Sequence, residues 1–283
     1  MLPDKIVVHL QYYAALGRKI NLKKPKRFTE KIQWYKLNYK DPLMTVCADK
    51  YKVRSYANTK NYNDYLPDFY GVFDSFDEIN FNSLPNSFVI KANNGSGTNI
   101  FVKDKSKMNL SEVENNIKSW EKVNTLSVGR EWAYKDIEPK IIIEEILKPK
   151  DEFQLKYGLN DYKFMCFNGK PELVWVDIDR HGFHSRKFYT KDWSELEVLS
   201  NRESFNGKLH KPFGYEKMIE ISTQIAADFP FVRVDFYSLN NRIYIGELTF
   251  YPWSGTVKFN PDEFDYRLGE LFNLQKPINM NKY

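Results

Sequence analysis

The sequence predicts a mixed α+β chain in which two α+β subdomains follow a helical N-terminal segment. Three observations carry this reading. Apolar residues recur at helical spacing through residues 1–60, residues 85–146 read as β-β-α-β, and the chain after Lys150 turns into short strands joined by hairpin turns. The division is 1–65 for the helical segment, 66–147 for a small subdomain with a glycine-rich hairpin, and 148–283 for a C-terminal subdomain. At 283 residues and 42% hydrophobic, the chain can bury its cores without staples.

In order, Ile6 to Leu16 is a first helix, and Thr29 is placed to cap a second that runs to Leu37. Asp41-Pro42 opens a third. Asp49 then suits the N-cap of a helix with Val53, Tyr56 and Ala57 inside and Lys50 in its first turn, where a lysine opposes the helix dipole unless it faces an anion. Leu66 to Phe73 is extended. Phe88 to Lys103 is a hairpin, Ser111 to Val123 a helix with Ser111 as cap, and Lys140 to Leu147 a strand. Beyond Lys150 come strands at Tyr162–Phe167, Leu173–Ile178 and Lys187–Tyr189, with a turn at Asn168-Gly169. A helix from Gly214 to Phe229 precedes two strands, Phe231–Tyr237 and Arg242–Leu248, joined through Asn240-Asn241.

Composition narrows the classes. Cys47 and Cys166 stand far apart in apolar surroundings, which fits buried thiols in a reducing compartment, and no Cys/His cluster suggests zinc. No apolar run is long enough to span a bilayer, so a soluble, cytoplasmic protein with no nucleic-acid partner is expected. The net charge of +5 is modest, yet Arg18, Lys19, Lys23, Lys24, Lys26, Arg27 and Lys31 crowd one stretch against Glu30 alone. That stretch suits a solvated face, peripheral contact with an anionic membrane surface, or contact with an acidic polymer.

The chemistry centres on Phe88 to Lys103. Gly95 and Gly97 let backbone N–H groups approach a ligand, and Lys91 beside them can neutralise a phosphate, although an ordinary hairpin turn needs the same residues. Asp235 and Glu247 fall on the last two strands, close together once these pair. They suit Mg²⁺ bridging phosphates, or else ion pairs with Arg233 or Arg242. Alternation along IIIEEIL turns either Glu144 or Glu145 inward. A different class, glycosyltransferase, is suggested by Asp177 and Asp179, a DxD at a strand end that can hold a metal on a sugar nucleotide. Walker A and kinase motifs are missing.

Taken together, Asp49-Lys50 with Arg54, Lys91 before a glycine-rich hairpin, Glu144-Glu145, and Asp235 with Glu247 resemble the ATP-grasp superfamily. EKIQWYKL, ADKYKVR, LPNSFVIKANNGSG, GREWAYKDIEPKIIIEEIL, DYKFMCFNGKPELV and GELTFYPWSG resemble more narrowly its TupA-like subgroup, found with bacterial surface polysaccharide (capsule, cell envelope) and teichuronopeptide synthesis. The resemblance runs from about Phe28 to about Gly255.

It implies an ATP-grasp fold whose subdomains clamp ATP, with Mg²⁺ as the other cofactor. Lys50 and Lys91 match the phosphate-contacting lysines, and Asn94, Gly95, Ser96 and Gly97 match the lid. Glu144, Glu145 and Ile146 match the adenine segment, and Asp235 and Glu247 the magnesium carboxylates. Thr249 departs from the asparagine common two residues after the second acid, which leaves a binding scaffold without turnover as a further alternative. Lys163 resembles the basic position of amino-acid ligases in the superfamily. Arg233, Arg180 and Arg186 suit a substrate carboxylate or acylphosphate, and Ser254-Gly255 suit backbone donors near the reaction. His181 and His184 lack a third metal ligand. The implied activity is an ATP-dependent carboxylate–amine ligase acting on small-molecule or glycan-linked acids and amines.

Overall fold

The computed structural model describes residues 2–95, 97–120, 129–180 and 182–274. The chain forms two compact units, one of residues 41–148 and one of residues 1–40 together with 149–283. The helices of the first sixty-five residues are thus shared between the units.

In chain order, α1 (Asp4–Leu16) and α2 (Phe28–Asn38) belong to the larger unit. The smaller unit holds α3 (Pro42–Ala48), α4 (Val53–Thr59), β1 (Phe69–Phe73), β2 (Phe88–Ala92), β3 (Asn99–Val102), α5 (Leu110–Trp120) and β4 (Ile141–Glu144). The chain then returns to the larger unit with α6 (Glu152–Tyr157), β5 (Asp161–Phe167), β6 (Lys170–Ile178), β7 (Ser185–Thr190), β8 (Glu195–Leu196) and β9 (Glu203–Ser204). It closes with α7 (Tyr215–Ala226), β10 (Phe231–Leu239), β11 (Arg242–Thr249) and α8 (Glu263–Leu271).

The small sheet has the antiparallel order β1-β4-β2-β3. Phe88, Ile90, Ile141 and Ile143 pack with Val113 and Ile117 of α5, so the β-β-α-β unit closes around one core. Asn109, not Ser111, caps α5: its Oδ1 accepts from the Glu112 N–H at 3.3 Å. The expected extension of this helix to Val123 lies outside the described residues. Asp41 caps α3 as expected, accepting from the Leu43 N–H at 2.9 Å with Pro42 in the first turn.

The large sheet runs β11-β10-β5-β6-β7-β8 with antiparallel neighbours, and β9 lies parallel to β7. Strand alternation sorts its faces. Phe164 and Val174 pair in register, as do Phe164 and Val234, and Phe164 meets Tyr215 of α7 at 5.5 Å, so this face is apolar and covered by a helix. The opposite face carries Asp161, Lys163, Trp175, Asp177, Arg233 and Asp235. Positive φ at Asn168 and Gly169, and at Asn240 and Asn241, makes the two tight turns that set these pairings.

Thr29 does not cap α2; it sits inside the first turn and donates through its N–H (2.9 Å) and hydroxyl (2.8 Å) to the buried carboxylate of Asp265 on α8. That helix is not among the expected elements, although Phe264, Leu268 and Gly269 bury one side of it at helical spacing. It approaches so closely that a Cβ at Gly269 would fall 2.0 Å from the Lys26 carbonyl oxygen. Both cysteines are buried and neither forms a disulfide. None of the described helices is long and apolar enough to cross a membrane.

Candidate functional site

In the smaller unit, the buried Asn93 holds the glycine-rich loop. Its amide donates to Asp49 Oδ1 (3.0 Å) and the Glu138 carbonyl (2.9 Å), and its Oδ1 accepts from the Lys140 N–H (2.8 Å). Asp49 also accepts from the N–H groups of Tyr51 and Lys52 at 2.8 and 3.2 Å. Lys50 therefore meets the loop: its N–H donates to the Asn93 carbonyl at 2.9 Å, and its ammonium to the Gly95 carbonyl. Because α4 begins only at Val53, Lys50 lies in the turn before it rather than in its first turn. Gly95 and Gly97 have φ of 76° and 80°, left-handed values that glycine adopts without steric cost. Asn94 is half-buried, and Ser96 lies outside the described residues.

Glu144 is the acid that β4 turns inward. It accepts from Lys91 Nζ at 2.6 Å and Arg54 Nη1 at 3.1 Å, while Arg54 also donates to the Pro67 carbonyl at 2.8 Å and lies 4.7 Å over the Phe69 ring. Lys91 and Glu144 meet because Lys91 pairs with Ile142, two residues earlier on the same face of β4. Glu145 is half-buried, with its N–H on the Asp68 carbonyl at 2.8 Å, and Ile146 follows the strand half-buried.

The larger unit gathers charge on one sheet face. Arg233 donates to both oxygens of Asp235 at 2.6 Å and to Glu247 Oε1 at 2.8 Å. Lys163, nearly inaccessible, bridges Asp235 and Asp161, the latter at 2.6 Å; Arg180 Nη1 reaches the same Asp161 oxygen at 2.6 Å. Asp177 pairs with Arg186 Nε at 2.6 Å and lies 3.1 Å from His184 Nε2. Trp175 stacks on Trp253 at 4.4 Å, and the Arg186 guanidinium lies between 5 and 6 Å from both rings, at 5.3 and 5.2 Å.

A bulge assembles the acidic pair. Phe236 pairs with Ile245 but Asp235 with Glu247, so Gly246 is the extra residue. A Cβ at 246 would stand 2.9 Å from the Tyr237 ring. Burial raises the Asp235 carboxyl above the ordinary aspartate range, with Asp161 and Glu247 adding to the rise and Arg233 and Lys163 opposing it. Burial would raise Asp177 too, but His184, Arg186 and Lys163 outweigh it and hold that carboxyl well below the ordinary range.

Asp235 and Glu247 present hard carboxylate oxygens on adjacent strands, the donor type Mg²⁺ takes, and Thr249 Oγ1 lies 3.4 Å from Glu247 Oε1. Among the described residues, no group of three or more acidic, histidine or cysteine side chains could hold a metal. The pair fits a cation whose remaining ligands come from phosphates or water. Arg233 binds the same two carboxylates, so it is the ion-pair reading of this hairpin that the structure displays.

The DxD residues diverge. Asp177 is locked to Arg186, whereas Asp179 sits in a turn at φ 52° and accepts from the Phe183 N–H at 2.8 Å. Of the three arginines, Arg180 keeps 47% of its side chain exposed, against 10% for Arg233 and 6% for Arg186. Arg186 is further engaged by Ser200 and Asn201.

Trp253, Ser254 and Gly255 have φ of 51°, 52° and 68°, a run of left-handed residues after β11. The Ser254 N–H, expected as a donor to the reaction, donates instead to the Tyr251 carbonyl at 2.9 Å. Gln33 and Lys36 of α2 hold this segment, through the Ser254 and Gly255 carbonyls and the Ser254 hydroxyl. His181 lies outside the described residues. Sequence reading missed Asp161, Asn93, Gln33 and Lys36 as site-forming residues. For Asp161 a signal was present, since it alternates with Lys163 on one strand face.

Among solved structures, the chain is similar to D-alanine–D-alanine ligase from Bacillus anthracis at 16% identity, covering 72% of this chain and 57% of that one, with a TM-score of 0.41. The corresponding ligase from Helicobacter pylori gives 14%, 81% and 62%, and 0.42. C-terminally truncated Cdc123 from Schizosaccharomyces pombe gives 11%, 84% and 96%, and 0.44. The chain thus spans less than two thirds of the length of either ligase, and such partial likeness leaves the assignment to the sequence family. No curated protein matches the sequence. The TupA-like ATP-grasp family model matches residues 30–273, which takes in both units and every site residue described above, and the chain belongs to that family.

Proposed function

We propose that the protein is an ATP-dependent carboxylate–amine ligase that works through an acylphosphate and joins an amino acid or amine to a sugar acid or amino sugar of a bacterial surface polysaccharide. The observation that carries this reading is one sheet face, in an ATP-grasp family member, on which Arg233, Lys163, Asp235 and Glu247 form a single charged array. Lys50 and Lys91 contact nucleotide phosphates under the loop of Asn94 to Gly97. Glu144, Glu145 and Ile146 take adenine. Asp235 and Glu247 hold Mg²⁺, which when bound spreads the charge of the phosphates.

The chain's own residues do the rest. An oxygen of the substrate carboxylate attacks the γ-phosphorus and the bond to ADP breaks. The amine nitrogen then attacks the acyl carbon, the carbon–oxygen bond to phosphate breaks, phosphate leaves, and the nitrogen gives a proton to water. Arg233 is already oriented by two carboxylates, so it can stabilise developing phosphoryl charge without reorganising. Lys163, buried between Asp161 and Asp235, positions Asp235. Arg180, the accessible arginine, binds the substrate carboxylate.

Calorimetric titration with a non-hydrolysable ATP analogue and Mg²⁺, beside UDP-glucose, tests this. Magnesium-dependent binding of the ATP analogue alone, weakened at least about tenfold in Lys91→Ala and Glu247→Gln, is expected. Binding of the sugar nucleotide instead, indifferent to both substitutions, would overturn the reading.

A further inference from the structure

The strongest unused feature is on α1. One side of this helix buries Val8, Tyr12 and Leu16 against Ile20, Leu22 and Leu37. A second apolar stripe faces water: Leu2 just before the helix, then Ile6, Leu10 and Tyr13, are 58%, 46%, 59% and 58% exposed. At ~100° per residue the three inside the helix, Ile6, Leu10 and Tyr13, fall within an arc of about 60°, well away from the buried side. A helix apolar on two sides has only one of them satisfied by its own fold.

The basic stretch after α1 is sorted by the structure into two sets. Arg18 and Arg27 are held by Asp262 and Asp265, and Lys31 donates to the carbonyls of Gly269 and Phe272 at 2.7 Å. Lys19, Lys23, Lys24 and Lys26 are exposed and, like Lys5, have no carboxylate partner among the described residues. The neighbouring acids are engaged: Glu30 caps the backbone N–H groups of Asn21, Lys26 and Arg27, and Asp262 and Asp265 hold the arginines.

We propose that α1 lies on an anionic membrane surface, its Leu2–Ile6–Leu10–Tyr13 stripe in the headgroup–acyl boundary and the exposed lysines on the lipid phosphates. Apolar burial plus a cationic rim is the combination such a surface selects. A second copy of this chain fits less well, because Glu30, Asp262 and Asp265, which could meet the lysines, are already engaged within the chain. At 13 residues the helix can lie in the interface and is too short to span it. The proposal is independent of the ligase reading.

The test is co-sedimentation of the whole protein with vesicles of phosphatidylglycerol and phosphatidylcholine, against phosphatidylcholine alone, at low and high salt. Binding to the anionic vesicles only is expected. The Ile6→Ser/Leu10→Ser/Tyr13→Ser variant should lose at least about tenfold in partitioning at every salt concentration, and Lys19→Gln/Lys23→Gln/Lys24→Gln/Lys26→Gln should lose as much at low salt together with most of the salt dependence. Thermal melting of each variant checks the fold, and the ATP-analogue titration, unchanged in both, separates this result from the ligase question. No binding to anionic vesicles, binding unaffected by the serine substitutions, or a dimer in light scattering that those substitutions dissolve would overturn the proposal.

Discussion

In the small sheet, Glu144 stands between two cations, Lys91 and Arg54, that keep 24% and 20% of their side chains in water. In the large sheet, Asp177 and Asp235 stand among Arg186, Arg233 and Lys163, whose side chains keep 6%, 10% and 5%. The difference lies in what replaces water when a partner leaves. Lys91 or Arg54 can rehydrate, so Glu144 can exchange a lysine for a ligand at modest cost. A guanidinium as deep as Arg186 cannot, and losing its carboxylate leaves a charge stranded in low dielectric. The cations around Glu144 keep a route to water, whereas Arg186 and Lys163 of the large sheet are nearly closed off from it.

The largest expected effect is at Asp177. Asp177→Ala should lower unfolding stability by about 3–5 kcal/mol in urea titration, because Arg186 is then buried without its carboxylate. A loss below about 1 kcal/mol would mean that water reaches Arg186 and that the two sheets do not differ. Next in size is Asn93→Ala, which strands the Lys140 N–H and releases Asp49; about 2 kcal/mol is expected, with weaker binding of the ATP analogue as the loop loosens. Glu144→Gln should cost no more than about 1–2 kcal/mol, below the Asp177 effect, since both of its cations reach solvent.

The smallest effect is at the surface, where the hydrogen bond from Arg27, helped by Arg18, lowers the Asp262 carboxyl from 3.8 to about 2. Its folded pKa lies below its unfolded value, so its stabilisation is present above pH 3.8 and fades as pH falls toward 2. Wild type and Asp262→Asn should therefore differ near neutral pH by a small amount and converge through that window. Equal stability at both ends would mean solvent already screens the pair, whose carboxylate is 49% exposed.

Much of this was legible before the fold was seen. The turns at Asn168-Gly169 and Asn240-Asn241, the β-β-α-β order and the inward turn of one acid, Glu144 or Glu145, follow from rules that act within a few residues: left-handed φ at Asn and Gly, and alternation along a strand. The helix caps read less well, because Thr29 and Ser111 had capping chemistry while Asp265 and Asn109 had the geometry. In α8 the buried positions Phe264, Leu268 and Gly269 do recur at helical spacing, but Gly269 is fixed by its close approach to the Lys26–Phe28 backbone, which lies far away in sequence.

The charged array marks where local rules end. Nearness of Asp235 and Glu247 follows from the turn between them, but plain counting from that turn places Gly246 opposite Asp235. The one-residue bulge that brings in Glu247 is a property of the paired strands. Which cation meets which carboxylate depends on the registers of β5, β6, β7, β10 and β11 together, and the division of the basic stretch into paired arginines and exposed lysines depends on Asp262 and Asp265 at the start of α8. Sequence alone determined the residue types, the turns and the family resemblance. Only the tertiary structure decided the ion pairs, because the cost of burying a charge is set by neighbours brought from distant parts of the chain.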